Sequence, residues 1–167
     1  LEQLQQIAKL LEQAQKAVAE AVVRLGRAAA VLTQLREASA KALAQRITQH
    51  IRDLAMPNGV LQIKCGQLDK FMPLGRDELK FIFSANMGEP LNDLEKVASG
   101  GELSRIALAV KTVLMNSGDV ATMVFDEIDT GVGGVTAQKM AEKIAAISGL
   151  SLDEIKKLQT NEARSDS

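Results

Sequence analysis

Residues 1–32 carry a beat that few folds can use. Leu1, Leu4, Ala8, Leu11, Gln15, Val18, Val22, Leu25, Ala29 and Leu32 are spaced alternately three and four apart, and Gln15 is the only polar member. That is the heptad seam of a coiled coil. Gly26 falls off the seam, and Ala14, Ala17, Ala21 and Ala28 flank it, which permits close helix approach. So narrow an apolar stripe cannot be buried by one helix alone, so a partner helix is expected. The alternative is an ordinary amphipathic helix in a bundle, although a seam this long without caps is unusual there. The chain opens on a helical residue with no starting Met, which reads as a segment of something longer.

After Leu32 the phase drifts. Leu35, Leu43, Ile47, Ile51 and Leu54 continue helically in a different register, and Met56-Pro57-Asn58-Gly59 supplies a turn. This predicts an arm helix over residues 1–55, a globular lobe over 56–150 and a divergent, flexible tail over 151–167. Within the lobe, VLQIKCG (60–66) alternates as a half-buried strand, and LKFIFSA (79–85) reads as a second. The stretch between them, GQLDKFMPLGRDE, is polar and turn-rich, so an antiparallel hairpin is expected. Glu102 to Asn116 is patterned as a helix stopped by Asn116-Ser117-Gly118-Asp119, and Val135 to Ile147 as another. Between them VATMVFDEID is a short, nearly continuous apolar run, as expected of a strand buried on both faces of a parallel sheet. The order implies an α/β fold.

Cys65 is the only cysteine, which excludes an internal disulfide and fits a reducing compartment; its place in an alternating run reads as a strand thiol. No signal peptide and no membrane-length apolar run is present, so a cytoplasmic location without membrane contact is expected. The formal net charge of -1 gives no overall basic signal for nucleic acid. The arm's basic residues, Lys9, Lys16, Arg24, Arg27, Arg36, Lys41 and Arg46, are interleaved with acids and Gln and read as a solvated face. His50 is the only histidine, with no ligand-type cluster beside it, and reads as a surface or boundary residue rather than a metal ligand.

Two stretches carry chemistry. Ser99-Gly100-Gly101-Glu102 opens an apolar helix. Two glycines let a backbone approach a ligand closely, the helix start aims N–H groups and a positive dipole end outward, and the Ser99 hydroxyl adds a donor. Such a turn can hold phosphate oxygens. Ser followed three residues later by Glu is also the capping-box pattern, an ordinary helix start. Asp126-Glu127 then closes the apolar run. One carboxylate there can hold Mg²⁺ together with phosphate oxygens, and the other can orient or deprotonate an attacking water. Two solvated acids at a strand end are the alternative.

In this order, SGGELSR followed by MVFDEIDTGVGG resembles the signature motif, Walker B and D-loop of ABC-type ATPase heads in the SMC-like family. The finer match is to the RecN branch. FSANMGEPLNDLEKVASGGELSRIALAVKTVL and FDEIDTGVGGVTAQKMAEKIAAIS resemble its C-terminal lobe, and the heptads its returning coiled-coil arm, over roughly residues 1–150. The resemblance implies a partial ABC-type head working in recombinational repair of DNA double-strand breaks. It implies that Ser99, Gly100, Gly101 and Glu102 contact the γ-phosphate of ATP held by a second head. Asp126 would serve Mg²⁺, Glu127 would act on the water and Asp129 would meet the opposite protomer. Implied partners are an N-terminal lobe with Walker A, an outgoing arm helix, a second head in a homodimer, and DNA, with a nucleoid-associated location.

The match has gaps. The phosphate-cradling pattern G-x-x-x-x-G-K-[ST] occurs nowhere in the 167 residues. Where the family continues from a stretch like AAISGL into a strand and a switch histidine, this chain reads SLDEIKKLQT with no histidine. The expectation is half of each composite site and no ATP hydrolysis by this chain alone. A second reading is a non-enzymatic coiled-coil module that pairs with or blocks a full-length SMC-like partner. A generic SMC-type or transporter head fits less well: transporter heads lack an inserted coiled coil, and DTGVGG resembles RecN more.

Overall fold

The computed structural model describes residues 2–96, 99–114, 123–151 and 153–154. The chain is mixed α/β. A long helix α1 (Glu2–Asp53) is followed by strands β1 (Val60–Met72), β2 (Gly75–Ser84) and the short β3 (Asn92–Asp93), then helices α2 (Gly100–Val113) and α3 (Gly134–Ser148). The residues fall into two compact units: 1–39 with 65–79, and 40–64 with 80–167.

In the first unit the heptad seam is bare. Leu4, Leu11, Val18, Val22 and Leu25 are between 47% and 70% exposed, so the stripe has no partner among the described residues. Only toward its end does burial begin, at Ala29 and Thr33. There the hairpin is fastened to the helix. Thr33 Oγ1 donates to Asp77 Oδ1 at 2.6 Å, and Arg36 Nη1 donates to Asp77 Oδ2 at 2.7 Å. Arg36 Nη2 also donates to the Leu74 carbonyl at 2.7 Å, so one guanidinium holds the turn and the strand that leaves it. The Thr33 hydroxyl and the Arg36 guanidinium hold the Asp77 carboxyl below the usual carboxylate range. A depressed carboxyl stabilises the fold above its unfolded value and ceases to do so as pH falls through the folded value. Acidification below about pH 4 should therefore release this contact, the reference carboxyl titrating near there. Asp77→Asn should remove that acid response, as followed by NMR shifts of Thr33 and Gly75.

The hairpin is longer than its sequence suggests. Residues 67–72 and 75–78, expected as connection, are strand, and only Pro73-Leu74 turns. Gly75 follows at φ +101°, a conformation open to glycine. Most side chains of this extension are exposed, so no apolar alternation announces it; neighbouring-strand hydrogen bonds carry it. The sheet order is β1-β2-β3, with β2 and β3 antiparallel through Ile82 opposite Asp93 and Phe83 opposite Asn92.

The second unit holds the core. The register shift after Leu32 turns a new face of α1 inward, with Ile47 and Ile51 fully buried together with Leu54 just past its end. They pack with Leu61, Phe83, Ile106, Leu108, Ala109 and Met140. Thr48 Oγ1 accepts the Leu61 N–H at 3.1 Å and donates to the Leu61 carbonyl at 3.3 Å, serving the strand's start as a neighbouring strand would. Gly59 is required where the chain turns: a Cβ there would stand 2.7 Å from Ile51 Cγ2 and 3.0 Å from the Met56 carbonyl.

α3 is tied to the end of α1 by charge. Lys143 Nζ lies 2.7 Å from His50 Nδ1 and 3.3 Å from Asp53 Oδ2, and Lys139 Nζ lies 3.0 Å from Asp53 Oδ1. His50 is thus the boundary residue expected. Its pKa is lowered by burial and by the Lys143 ammonium. Burial alone would raise Asp53, but hydrogen bonds from the two ammonium groups outweigh it and lower it. Both shifts have one sign: their contribution is whole above pH 6.5 and is lost as pH falls through the folded values. Lys143→Met should move the His50 titration upward toward its ordinary value, read directly by NMR because the chain has one histidine.

Two expectations change. Met123, Val124 and Phe125, expected in a buried parallel strand, are not in a strand, and Val124 is 88% exposed. A doubly buried strand needs hydrogen-bonding neighbours on both sides. Among the described residues the strands of the sheet pair with one another, and none is placed beside this run. Residues 120–122, the helix stop at 116–119 and most of the 151–167 tail lie outside the described residues.

Candidate functional site

The turn at the start of α2 and the loop after residue 125 lie against each other. Ser99 is the N-cap of α2, with φ −113° and ψ 126°, and its carbonyl accepts the Leu103 N–H at 3.0 Å. Its hydroxyl makes no capping hydrogen bond. The capping-box alternative therefore does not describe this turn. The contrast lies in the same chain: Ser151 and Glu154, the same Ser-x-x-Glu pattern, do close it, with Ser151 N donating to Glu154 Oε2 at 2.8 Å and Glu154 N to Ser151 Oγ at 3.3 Å. Among the described residues no side chain caps the head of α2, so the Ser99 hydroxyl and the first helical N–H groups can serve another acceptor.

Gly100 is exposed and Gly101 is buried. A Cβ on Gly100 would stand 2.9 Å from Glu127 Oε2. A Cβ on Gly101 would meet the Glu127 carbonyl oxygen at 2.8 Å and Arg105 Nη1 at 3.2 Å. Gly101 thus lets the loop backbone come within a distance that a side chain there would obstruct, whereas at Gly100 only the free end of the Glu127 side chain is near. Glu102, one position on, is half-buried.

The loop is a run of tight turns. Thr130 N donates to the Glu127 carbonyl and Val132 N to the Asp129 carbonyl, both at 3.1 Å. Glu127 has φ +52°, an arrangement that costs an L-residue roughly 1–2 kcal/mol. Phe125, Ile128 and Val132 pack against the core, while Asp126, Glu127 and Asp129 face outward and are exposed. The three apolar anchors fix the loop on the core and leave the intervening acids in solvent. The loop thus presents carboxylates beside a helix N-terminus, with no wall of its own around them.

Sequence reasoning assigned no role to Arg105. It is 7% exposed, and Nη1 donates to the Ile128 carbonyl at 3.3 Å and the Thr130 carbonyl at 3.1 Å. The available signal was a cation among Leu103, Ile106, Leu108 and Ala109, four residues after Gly101. The donor set fits ATP and Mg²⁺ in part: a free serine hydroxyl, an unfilled helix start and an exposed carboxylate suit phosphate oxygens and a cation shared with them. Among the described residues no group of three His, Cys, Asp or Glu is placed to hold a metal by itself. No described helix is long and apolar enough to cross a membrane.

No family model matches the chain. Curated proteins do. It is 40% identical over 83% of its length to the DNA repair protein RecN of Treponema pallidum, of which that match covers 25%. It is 40% identical over 72% of its length to RecN of Bacillus subtilis, covering 23% of that protein. With RecN of Halalkalibacterium halodurans the identity is 43% over 71% of the chain and 22% of the relative. The chain spans about a quarter of the length of these relatives. The resemblance carried by SGGELSR and FDEIDTGVGG thus extends well beyond the two motifs, and the chain is RecN-like, matching one stretch of a longer DNA repair protein.

Proposed function

We propose that this chain is the signature-motif part of a RecN-like ATPase head that acts in recombinational repair of DNA double-strand breaks. In this reading Ser99, Gly100, Gly101 and Glu102 receive the γ-phosphate of ATP held by a second head. Asp126 would hold Mg²⁺, which neutralises phosphate charge when bound; Glu127 orients and accepts a proton from the attacking water; Asp129 meets the opposite protomer. The observation that carries the reading is that the start of α2, which no side chain caps, stands beside the exposed Glu127 of the loop. Among the described residues the Ser99 hydroxyl makes no capping bond and the acids are exposed, as half of a composite site would be. ATP cradling falls to a Walker A loop on another lobe, since the pattern is not in these residues. The bare seam of α1 would take the outgoing arm helix. DNA contact, pairing of heads and a place on the nucleoid belong to this reading as well.

The test is to mix the chain with a separately made Walker A lobe from a RecN relative. The chain alone should hydrolyse ATP no faster than its Glu127→Gln variant, and the mixture should turn over. Turnover by the chain alone, well above that control, would overturn the division of labour. Inhibition of an intact RecN without recovered turnover would favour the non-enzymatic module, which the exposed seam would also serve.

A further inference from the structure

We propose that Arg105 is the positioning residue for Asp129, locking the loop that carries it to the first turns of α2 so that the two motifs move as one body. This rests on the reading of Asp129 as the residue that meets the opposite head. Three observations carry it. The two carbonyls that Arg105 Nη1 engages, Ile128 and Thr130, are the neighbours of Asp129 on either side, so both flanking peptides are oriented from one guanidinium group. Arg105 is 7% exposed and its Nε is buried without a partner, so the side chain sits in the loop at a solvation cost rather than resting on the surface. The guanidinium passes Gly101, where a Cβ would stand 3.2 Å from Nη1, so the glycine also opens the route by which the arginine reaches the loop.

A binding event at the head of α2 would then be felt at Asp129 without passing through solvent. The turn bonds Thr130 N to the Glu127 carbonyl and Val132 N to the Asp129 carbonyl, both 3.1 Å, form the backbone that the arginine steadies. Lysine can reach the carbonyls as a point charge but cannot present a planar fork; glutamine keeps polarity and loses the charge.

Hydrogen–deuterium exchange on the full chain tests this. Arg105→Gln should speed exchange of the Thr130 and Val132 amides by about tenfold or more, with Arg105→Lys between it and the unaltered chain, while amides of α3 keep their rates. Equal exchange at Thr130 and Val132 in all three proteins overturns the proposal. Should Arg105→Gln fail to fold, Arg105→Lys carries the comparison. In the mixture with a Walker A lobe, Arg105→Lys should lower kcat with KM unchanged, and adding it to Asp129→Ala should cost nothing further. Fully additive losses would overturn the link to Asp129. A mixture that never turns over sinks the ATPase reading instead, and the exchange rates then decide the lock by themselves.

Discussion

Glu127→Gln should lower ATP turnover by a head completed with a Walker A lobe roughly 10²–10⁴-fold, the span that a positioned general base contributes. The substitution keeps size and hydrogen-bonding reach and removes only the proton acceptor. The fold should not notice: Glu127 is exposed, and its backbone carbonyl, which accepts from Thr130 N, is unchanged. An unfolding midpoint within about 0.5 kcal/mol of the unaltered chain is the matching expectation for a surface site. ATP binding by the completed head should persist, so KM and kcat separate. A loss under tenfold would remove the carboxylate from the reaction.

Gly101→Val is the second large effect, and it acts through packing. The added Cβ would stand 2.8 Å from the Glu127 carbonyl oxygen, 3.2 Å from Arg105 Nη1 and 3.5 Å from Thr130 Cβ. The nearest of these is backbone in a turn already held by two hydrogen bonds, so it cannot rotate away. Overpacking of this kind costs about 1–3 kcal/mol. The loop would have to separate from α2, so turnover of the completed head should fall with stability. Gly100→Ala is the control, because its Cβ meets only Glu127 Oε2 at 2.9 Å, the free end of a side chain. Its stability should stay within about 0.5 kcal/mol. Denaturant midpoints for the pair measure the difference directly; equal midpoints would mean that the close approach at Gly101 is not obligatory.

The parts of this chain legible in its sequence are those set by local periodicity. The heptad beat from Leu4 and its shift to Leu43, Ile47 and Ile51 foretell one helix with two faces, the first bare as far as Leu25 and the second turned into the core. The start of α2 is marked by Ser99-Gly100-Gly101. α3 ends at Gly149, which takes φ +73° as a C-cap glycine does. What escaped depends on partners distant in sequence. β1 runs on to Met72 because β2 lies beside it, although its outer residues show no apolar pattern. MVF was apolar enough for a buried strand, yet composition does not supply neighbours: Met123 and Val124 stand exposed and Phe125 packs against the core from a loop. Ser99-x-x-Glu102 and Ser151-x-x-Glu154 share one pattern and only the second closes, a distinction that no spacing encodes. Arg105 looked like an ordinary helix cation until its hydrogen bonds to the loop were visible.

The most direct test concerns pairing through the exposed head of α2. Completed heads carrying Glu127→Gln, so that ATP is retained, can be followed by sedimentation velocity with ATP, with ADP and with neither. Ser99→Arg places a bulky side chain at an exposed N-cap whose hydroxyl makes no capping bond, so it leaves the fold intact and obstructs only an incoming phosphate. The expected result is a doubling of mass with ATP alone, abolished by Ser99→Arg. Mass independent of nucleotide, or a Ser99→Arg head that pairs as well as its parent, would contradict a composite site built on this face.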